Sequence, residues 1–520
     1  MGSPDRREDN RRMVKNSLLL YFRLMIVMAA NLYAARLILK GLGVDDFGLY
    51  SVVGGIVAMF SFLNGALGAA TSRFLTFELG RGDFERLGRI FSAAAVSHAA
   101  IAAIVVIFSE TVGLWFFFNK MTIPPDRLSA AFWVFQISIL TSVFSITQVP
   151  YNSLIIAYER MGVYAYVGMF EAAAKLAVSF LIFYAPFDRM VFYALLVMGV
   201  QVCIILFYRF YCVRRHPESR IRLHREWGMY GGMLSYTGSN LIANLASMIQ
   251  GQGLNLLLNV FFGGAVNAAR SIAYQAQGAV AQFSGNFMTA VWAQIIKCYA
   301  RGDLSAMRSL VRSSSCFGGY MMFFIILPLW FQAEAVLRLW LGEYPEYTPS
   351  FLRLVLVLCL IQAIRGPRTA VFHAMGKLFW VNVIGGLILC SVFPVGYALL
   401  KAGYGPESVF WAANATFLAF EFAGAAILKK YLDFSVTRYL LAVHFRCLCV
   451  GVCSYAAAWA AGAAEDRGLF GIAYACAVSA LAVCAFSLTI GMDAGMRRSV
   501  FAFVRDSAGK ILARLRPRKT

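Results

Sequence analysis

The stretch SLLLYFRLMIVMAANLYAARLILK, residues 17–40, decides the fold class. It carries charge only at Arg23, Arg36 and Lys40. As a helix rising about 1.5 Å per residue, it crosses a hydrocarbon core of roughly 30 Å. Its apolar residues do not alternate with polar ones, which excludes a strand of a membrane barrel. It is too long for a signal-peptide core and has no Ala-x-Ala exit, so it reads as an uncleaved first span. A guanidinium in hydrocarbon costs several kcal/mol, so Arg23 and Arg36 are expected to face a hydrated interior and to meet an anion.

Apolar runs of comparable length recur along the chain, at 46–71, 91–118, 129–157, 161–186, 190–211, 229–262, 264–296, 309–332, 350–374, 378–400, 408–428, 438–461 and 468–491. With the first they predict an all-α polytopic membrane protein of about fourteen transmembrane helices. The run 229–262 is too long for one straight crossing. The chain is 60% hydrophobic and 14% charged, against roughly 25% charged in soluble domains. Lys175 and Arg270 join Arg23 and Arg36 as cations inside predicted spans.

The net charge of +21 would suit a nucleic-acid partner if the charge lay on one surface. It does not. With a cytoplasmic N-terminus, 34 of the 47 Lys and Arg residues fall in connections on that side, among them 365–377, and 8 on the other. This is the positive-inside asymmetry, with both termini cytoplasmic and no nucleic acid required.

The basic connection VRRHPESRIRLHREW, residues 213–227, divides the chain. The predicted organisation is a basic N-terminus (1–16), a six-helix half (17–212), a linker (213–228), a second six-helix half (229–430), two further helices (431–492) and a basic tail (493–520). Gly43 through Arg81-Gly82-Asp83 and Gly263 through Arg301-Gly302-Asp303 match at a shift of 220 residues. Six helices per half make the repeat parallel, about an axis along the membrane normal, with a cleft between halves. The piece Phe84–Phe91 and the stripe Met496, Val500, Val504, Ala508, Ile511, Leu515 read as interfacial helices, the alternative for the latter being a solvated tail.

Two spans carry polar stripes. Asn240, Asn244, Ser247, Gly251 and Asn255 recur at helical spacing, and so do Asn267, Arg270, Tyr274 and Gln277. They fit the lining of a hydrated cavity; the alternative is hydrogen bonding between helices. Arg270 has no acidic neighbour within a turn and is the leading anion ligand. Arg23, roughly 10 Å inside its span, and Arg36, near Lys40, also have the length to snorkel. Lys175 has Glu171 four residues earlier and is expected to pair with it. Glu110, Glu171 with Lys175, and Glu421 are candidates for ion coupling, Glu110 and Glu421 equally for interfacial anchoring. His98, His373 and His444 stand alone in apolar surroundings and read as packed residues.

No Gly-Lys-Ser/Thr phosphate loop, metal-spaced cluster or long external loop occurs, so no enzyme, metal or cofactor is predicted. The eleven cysteines are scattered and read as small apolar residues.

Lys15-Asn16-Ser17, Tyr21-Phe22-Arg23, the turn Gly41-Leu-Gly-Val-Asp-Asp-Phe-Gly-Leu-Tyr50, the segment Phe74 to Asp83 (FLTFELGRGD) and Gln148-Val-Pro-Tyr-Asn152 together resemble the bacterial polysaccharide flippases. These are the Wzx-like O-antigen and capsule transporters of the multidrug/oligosaccharidyl-lipid/polysaccharide exporter superfamily. The resemblance implies transport of an undecaprenyl-pyrophosphate-linked oligosaccharide across the bacterial inner membrane by alternating access, in lipopolysaccharide or capsule biosynthesis. It implies lipid-linked oligosaccharide and membrane lipid as partners, together with polymerase and chain-length proteins of the envelope pathway. Related peptidoglycan-precursor flippases use cavity arginines in their first helices and in span eight, where Arg23, Arg36 and Arg270 lie. The alternatives are a cation-coupled drug exporter of the same superfamily, a membrane glycan polymerase and a non-transporting envelope scaffold.

Overall fold

Apolar runs bounded by Gly, Asp or Pro set the helix ends. The computed structural model describes residues 27–58, 68, 71–72, 74–79, 81–158, 160–221, 245, 248–375, 379–431, 435–465, 468–493 and 496–497. In chain order the principal helices are α1 (Val27–Leu42), α2 (Val44–Ala58), α3 (Phe84–Asn119), α4 (Leu128–Ala157), α5 (Met161–Leu181) and α6 (Arg189–Arg215). Then come α7 (Leu254–Phe262), α8 (Gly264–Ala300), α9 (Leu304–Phe331), α10 (Ala333–Leu341) and α11 (Thr348–Met375). The series ends with α12 (Phe379–Cys390), α13 (Val392–Lys401), α14 (Glu407–Tyr431), α15 (Val436–Ala460) and α16 (Gly468–Gly491).

The protein is all-helical and polytopic, as the apolar runs imply. Among the described residues, ten helices are long and apolar enough to cross a membrane, or eleven if the bent pair α1–α2 counts as one span. The expected number of fourteen is not reached: the runs 17–40, 46–71 and 229–262 lie partly outside the described residues, and α8, which covers 264–296, is not among the ten. Large apolar side chains such as Trp115, Trp133, Trp411, Trp459 and Leu481 are more than half exposed. In water this would be a liability; in lipid it is the lowest-energy arrangement.

Two expectations need correction. Phe84–Phe91 is no separate interfacial helix. It forms the first turns of α3, whose 36 residues extend about 54 Å, well beyond the hydrocarbon core. Leu87, Ile90 and Phe91 are buried there, packed with Tyr151, Leu154 and Tyr208. Arg365 and Arg368, counted above in a connection, lie inside α11. Removing them leaves the charge asymmetry intact.

The turns 220 residues apart have matching local geometry. Gly43 (φ 84°) and Gly263 (φ 79°) both break a helix in the left-handed region, where glycine carries no Cβ penalty. Gly82 (φ 74°) and Gly302 (φ 73°) do the same, and each is followed by an aspartate capping the next helix. Asp83 accepts from the Arg86 amide and Asp303 from the Ala306 amide, both at 2.9 Å. Near the first of these turns α2 and α8 touch: a Cβ on Gly48 would stand 1.8 Å from the Gly264 carbonyl oxygen.

The chain forms two compact units. One comprises 1–276, 338–351 and 382–416; the other comprises 277–337, 352–381 and 417–520. The first has cores around Val52, Val53, Phe117 and Phe135 and around Phe91, Tyr151 and Leu154. In it Arg127 ties elements together, donating through Nε to Asp46 at 2.8 Å and through Nη1 to Asp188 at 2.6 Å. The second is built on Tyr320, Phe323, Phe372, Tyr439 and Val450.

Candidate functional site

In the first unit, a π-helical turn at Ile249–Gly253 precedes α7. The wider turn misaligns backbone carbonyls and interrupts the helix face that regular spacing assigns to Gly251 and Asn255. Arg270 on α8 uses this break: its Nη2 donates to the Gly251 carbonyl. Its guanidinium also lies 4.1 Å from the Tyr274 ring centroid, one helical turn away. Arg270 is only 6% exposed, and among the described residues no carboxylate pairs with it.

The neighbouring amides are joined. Asn267 donates to the backbone and side-chain oxygens of Asn255, both at 2.7 Å, and Asn255 donates to the Ser51 carbonyl at 3.3 Å. All three polar residues Asn255, Asn267 and Arg270 are buried. The structure therefore brings Arg270, Tyr274, Asn255 and Asn267 together beside α2.

The other predicted residues are placed elsewhere. Arg36 is exposed, its Nη1 3.4 Å from the Leu339 carbonyl. Glu171 and Lys175 form the ion pair that their spacing implies, at 2.6 Å and partly exposed. Glu110 accepts from Gln136 Nε2 at 3.4 Å, apart from that pair. Gln277 belongs to the second unit, where its carbonyl lies 4.0 Å from Cys359 Sγ. Arg23, Asn240, Asn244 and Ser247 lie outside the described residues.

The second unit holds charged residues that the sequence reading missed. Arg368 (2% exposed) donates through Nη2 to Glu421 Oε2 at 2.7 Å and through Nη1 to the Glu421 carbonyl at 2.8 Å. Glu421 is 1% exposed, so it is no interfacial anchor. His444 is not solitary either, with Nε2 3.5 Å from Glu421 Oε1. Gly424 makes room for the pair, since a Cβ there would stand 1.8 Å from Arg368 Nη1. Arg365 lies one turn before Arg368, against the rings of Phe417 and Phe420. The available signal was the apolar run 350–374, which already covers both arginines that the charge count placed in the connection 365–377. Among the described residues no group of His, Cys, Asp and Glu is arranged to hold a metal ion.

The described residues form an all-helical multi-pass bundle with cations and carboxylates buried inside it. No protein-family profile and no curated protein matches the sequence. Solved structures do. The chain is similar to the lipid II flippase MurJ in an inward closed conformation, with TM-score 0.69, 14% identity, and 91% of this chain and 98% of that one covered. An inward-facing multidrug resistance MATE transporter of the MOP superfamily gives 0.67 at 13% identity, covering 80% and 98%. A MOP superfamily transporter from Pyrococcus furiosus gives 0.59 at 14% identity, covering 82% and 96%. These likenesses establish the fold.

Proposed function

We propose that this chain flips a polyprenyl-pyrophosphate-linked oligosaccharide between membrane leaflets, for O-antigen or capsule assembly. The observation that carries the reading is the sign of the uncompensated interior charge. The two buried carboxylates among the described residues, Glu78 and Glu421, each meet an arginine, whereas Arg270 meets only a carbonyl and a ring. A cationic drug needs a free carboxylate; a pyrophosphate needs a free cation. Arg270, with Tyr274 and Asn255 beside it, is the proposed anion contact, together with Arg23 and Arg36 of the first predicted span. Asn240, Asn244 and Gln277 are proposed to bind the glycan, and Glu110 and the Glu171–Lys175 pair are the proposed coupling groups.

The matching turns at Gly43 and Gly263 and at Gly82 and Gly302 support two six-helix halves rocking in alternating access. The proposed setting is the bacterial inner membrane, with both termini cytoplasmic and envelope polymerase and chain-length proteins as partners.

The test is depletion of the protein followed by assay of lipid-linked glycan in each leaflet. Glycan is expected to accumulate on the cytoplasmic side. Arg270→Ala should reproduce this at normal protein level, with partial activity in Arg270→Lys. Wild-type flux in Arg270→Ala would remove the assignment. Unchanged glycan together with raised drug susceptibility would favour the multidrug-exporter reading, which the MATE likeness supports at the level of fold.

A further inference from the structure

The second unit contains a cavity of ≈ 480 Å³ whose wall includes Gln362, Arg365, Gly366 and Thr369 of α11 and Met288 and Trp292 of α8. Gln362, Arg365 and Thr369 are spaced by three and four residues and so share a helix face. Gly366 permits the close approach of α8, because a Cβ there would stand 2.8 Å from Met288 Sδ. The volume lies within the range of roughly 300–1,000 Å³ typical of small-ligand sites.

The charge at this cavity is unmatched. Arg368 is neutralised by Glu421, but among the described residues no carboxylate lies within ion-pair distance of Arg365. The rings of Phe420 and Phe417, with centroids 4.8 and 5.3 Å from Arg365 Cζ, fix the guanidinium in place. They leave its N–H groups without strong acceptors. Arg365 Nη1 is shut off from solvent and has no hydrogen-bond partner. A buried donor is costly to leave unpaired, and an anion bound beside the guanidinium would offset that cost.

We propose that this cavity binds a phosphate group, free or carried by an amphiphile, with Arg365 as the charge partner and Gln362 as a second donor. A phosphate carries more acceptor oxygens and, as a pyrophosphate or monoester, more charge than a carboxylate, and so engages the guanidinium fork and the carboxamide together more strongly. The thioether of Met288 and the indole of Trp292 present an apolar wall beside the cation, as an amphiphile requires. The cavity shares no residue with the Arg270 cluster, and the proposal does not depend on the flippase reading.

The experiment uses the full chain in a phosphate-free detergent such as dodecyl maltoside, titrated with inorganic pyrophosphate, farnesyl pyrophosphate, a short-chain phosphatidylglycerol and oleate. Saturable binding of a phosphate probe is expected, weakened about tenfold in Arg365→Gln and less in Arg365→Lys. Tenfold corresponds to about 1.4 kcal/mol of lost charge-assisted bonding. Equal affinity for pyrophosphate and farnesyl pyrophosphate would identify free phosphate as the ligand. Binding of only the phosphate amphiphiles would identify a lipid headgroup, and either result supports the site. Should Arg365→Gln lose its thermal transition, Gln362→Leu replaces it, with roughly threefold weakening expected for a neutral donor. Three results overturn the proposal: no saturable phosphate binding, preference for oleate, or binding lost in Arg270→Gln but kept in Arg365→Gln. No flipping is measured, so failure here and failure of the proposed function are separate results.

Discussion

Arg270 and Arg368 are both buried cations on long helices, yet the two units accommodate them in opposite ways. Arg368 meets Glu421 from another helix, and the pair is electrically neutral. Arg270 meets the Gly251 carbonyl exposed by a π-turn and the face of Tyr274, so its charge remains. A neutralised pair serves packing between helices and has little reason to attract a ligand. A charge held only by dipoles stays available to an anion, at the expense of desolvation that no carboxylate offsets. Burial alone therefore does not set the two arginines apart; the absence of a matching carboxylate at Arg270 does.

The largest expected effect tests the neutralised member. Arg368→Ala or Glu421→Ala strands one buried charge and should destabilise the protein by about 3–5 kcal/mol. Arg368→Met combined with Glu421→Leu removes both charges and should recover most of that loss. Denaturation of the four proteins in detergent provides the cycle. A double variant as unstable as the singles would mean that the pair is not a self-contained neutral unit.

A smaller effect is expected at Arg270. Arg270→Met removes an uncompensated charge, a relief, but leaves the Gly251 carbonyl without its donor, a cost of about 1–3 kcal/mol. The two changes oppose each other, and the net shift in stability should stay within about 1 kcal/mol. The same denaturation assay reads it. If Arg270→Met is as damaging as Arg368→Ala, the distinction between the two cations collapses and Arg270 is a structural residue.

The sequence revealed one side of this contrast more readily than the other. Long apolar runs announced the helices, and most predicted ends fall within a few residues of the observed ones, because the length and composition of a span follow from the thickness of the bilayer. Arg270 stood out because no acid lies near it on its own helix. Arg368 did not, for two reasons. The charge count placed 365–377 in a connection although the apolar run 350–374 covers both arginines, and the proline inside it is tolerated in a membrane helix. Its partner Glu421 is 53 residues away on another helix, and no periodicity reports a contact of that kind. The π-turn beside Arg270 was equally hidden, since regular spacing assumes an unbroken helix.

The smallest expected effect belongs to the cation that sequence spacing alone had paired. Lys175 and Glu171 lie four residues apart on α5, their side chains 44% and 38% exposed, with 2.6 Å between Nζ and Oε1. Where the pair faces the hydrated interior expected of intramembrane cations, it forgoes little hydration and its members gain little from each other. Intrahelical pairs of this spacing contribute about 0.3–0.5 kcal/mol at exposed sites. Lys175→Met should therefore shift the denaturation midpoint by no more than that, and Glu171→Gln by a similar amount, with no further loss when the two are combined. If Lys175→Met instead approaches the loss expected for Arg368→Ala, the exposed pair is as deeply coupled as the buried one. Neutralisation by a carboxylate would then say nothing about which cations the fold depends on.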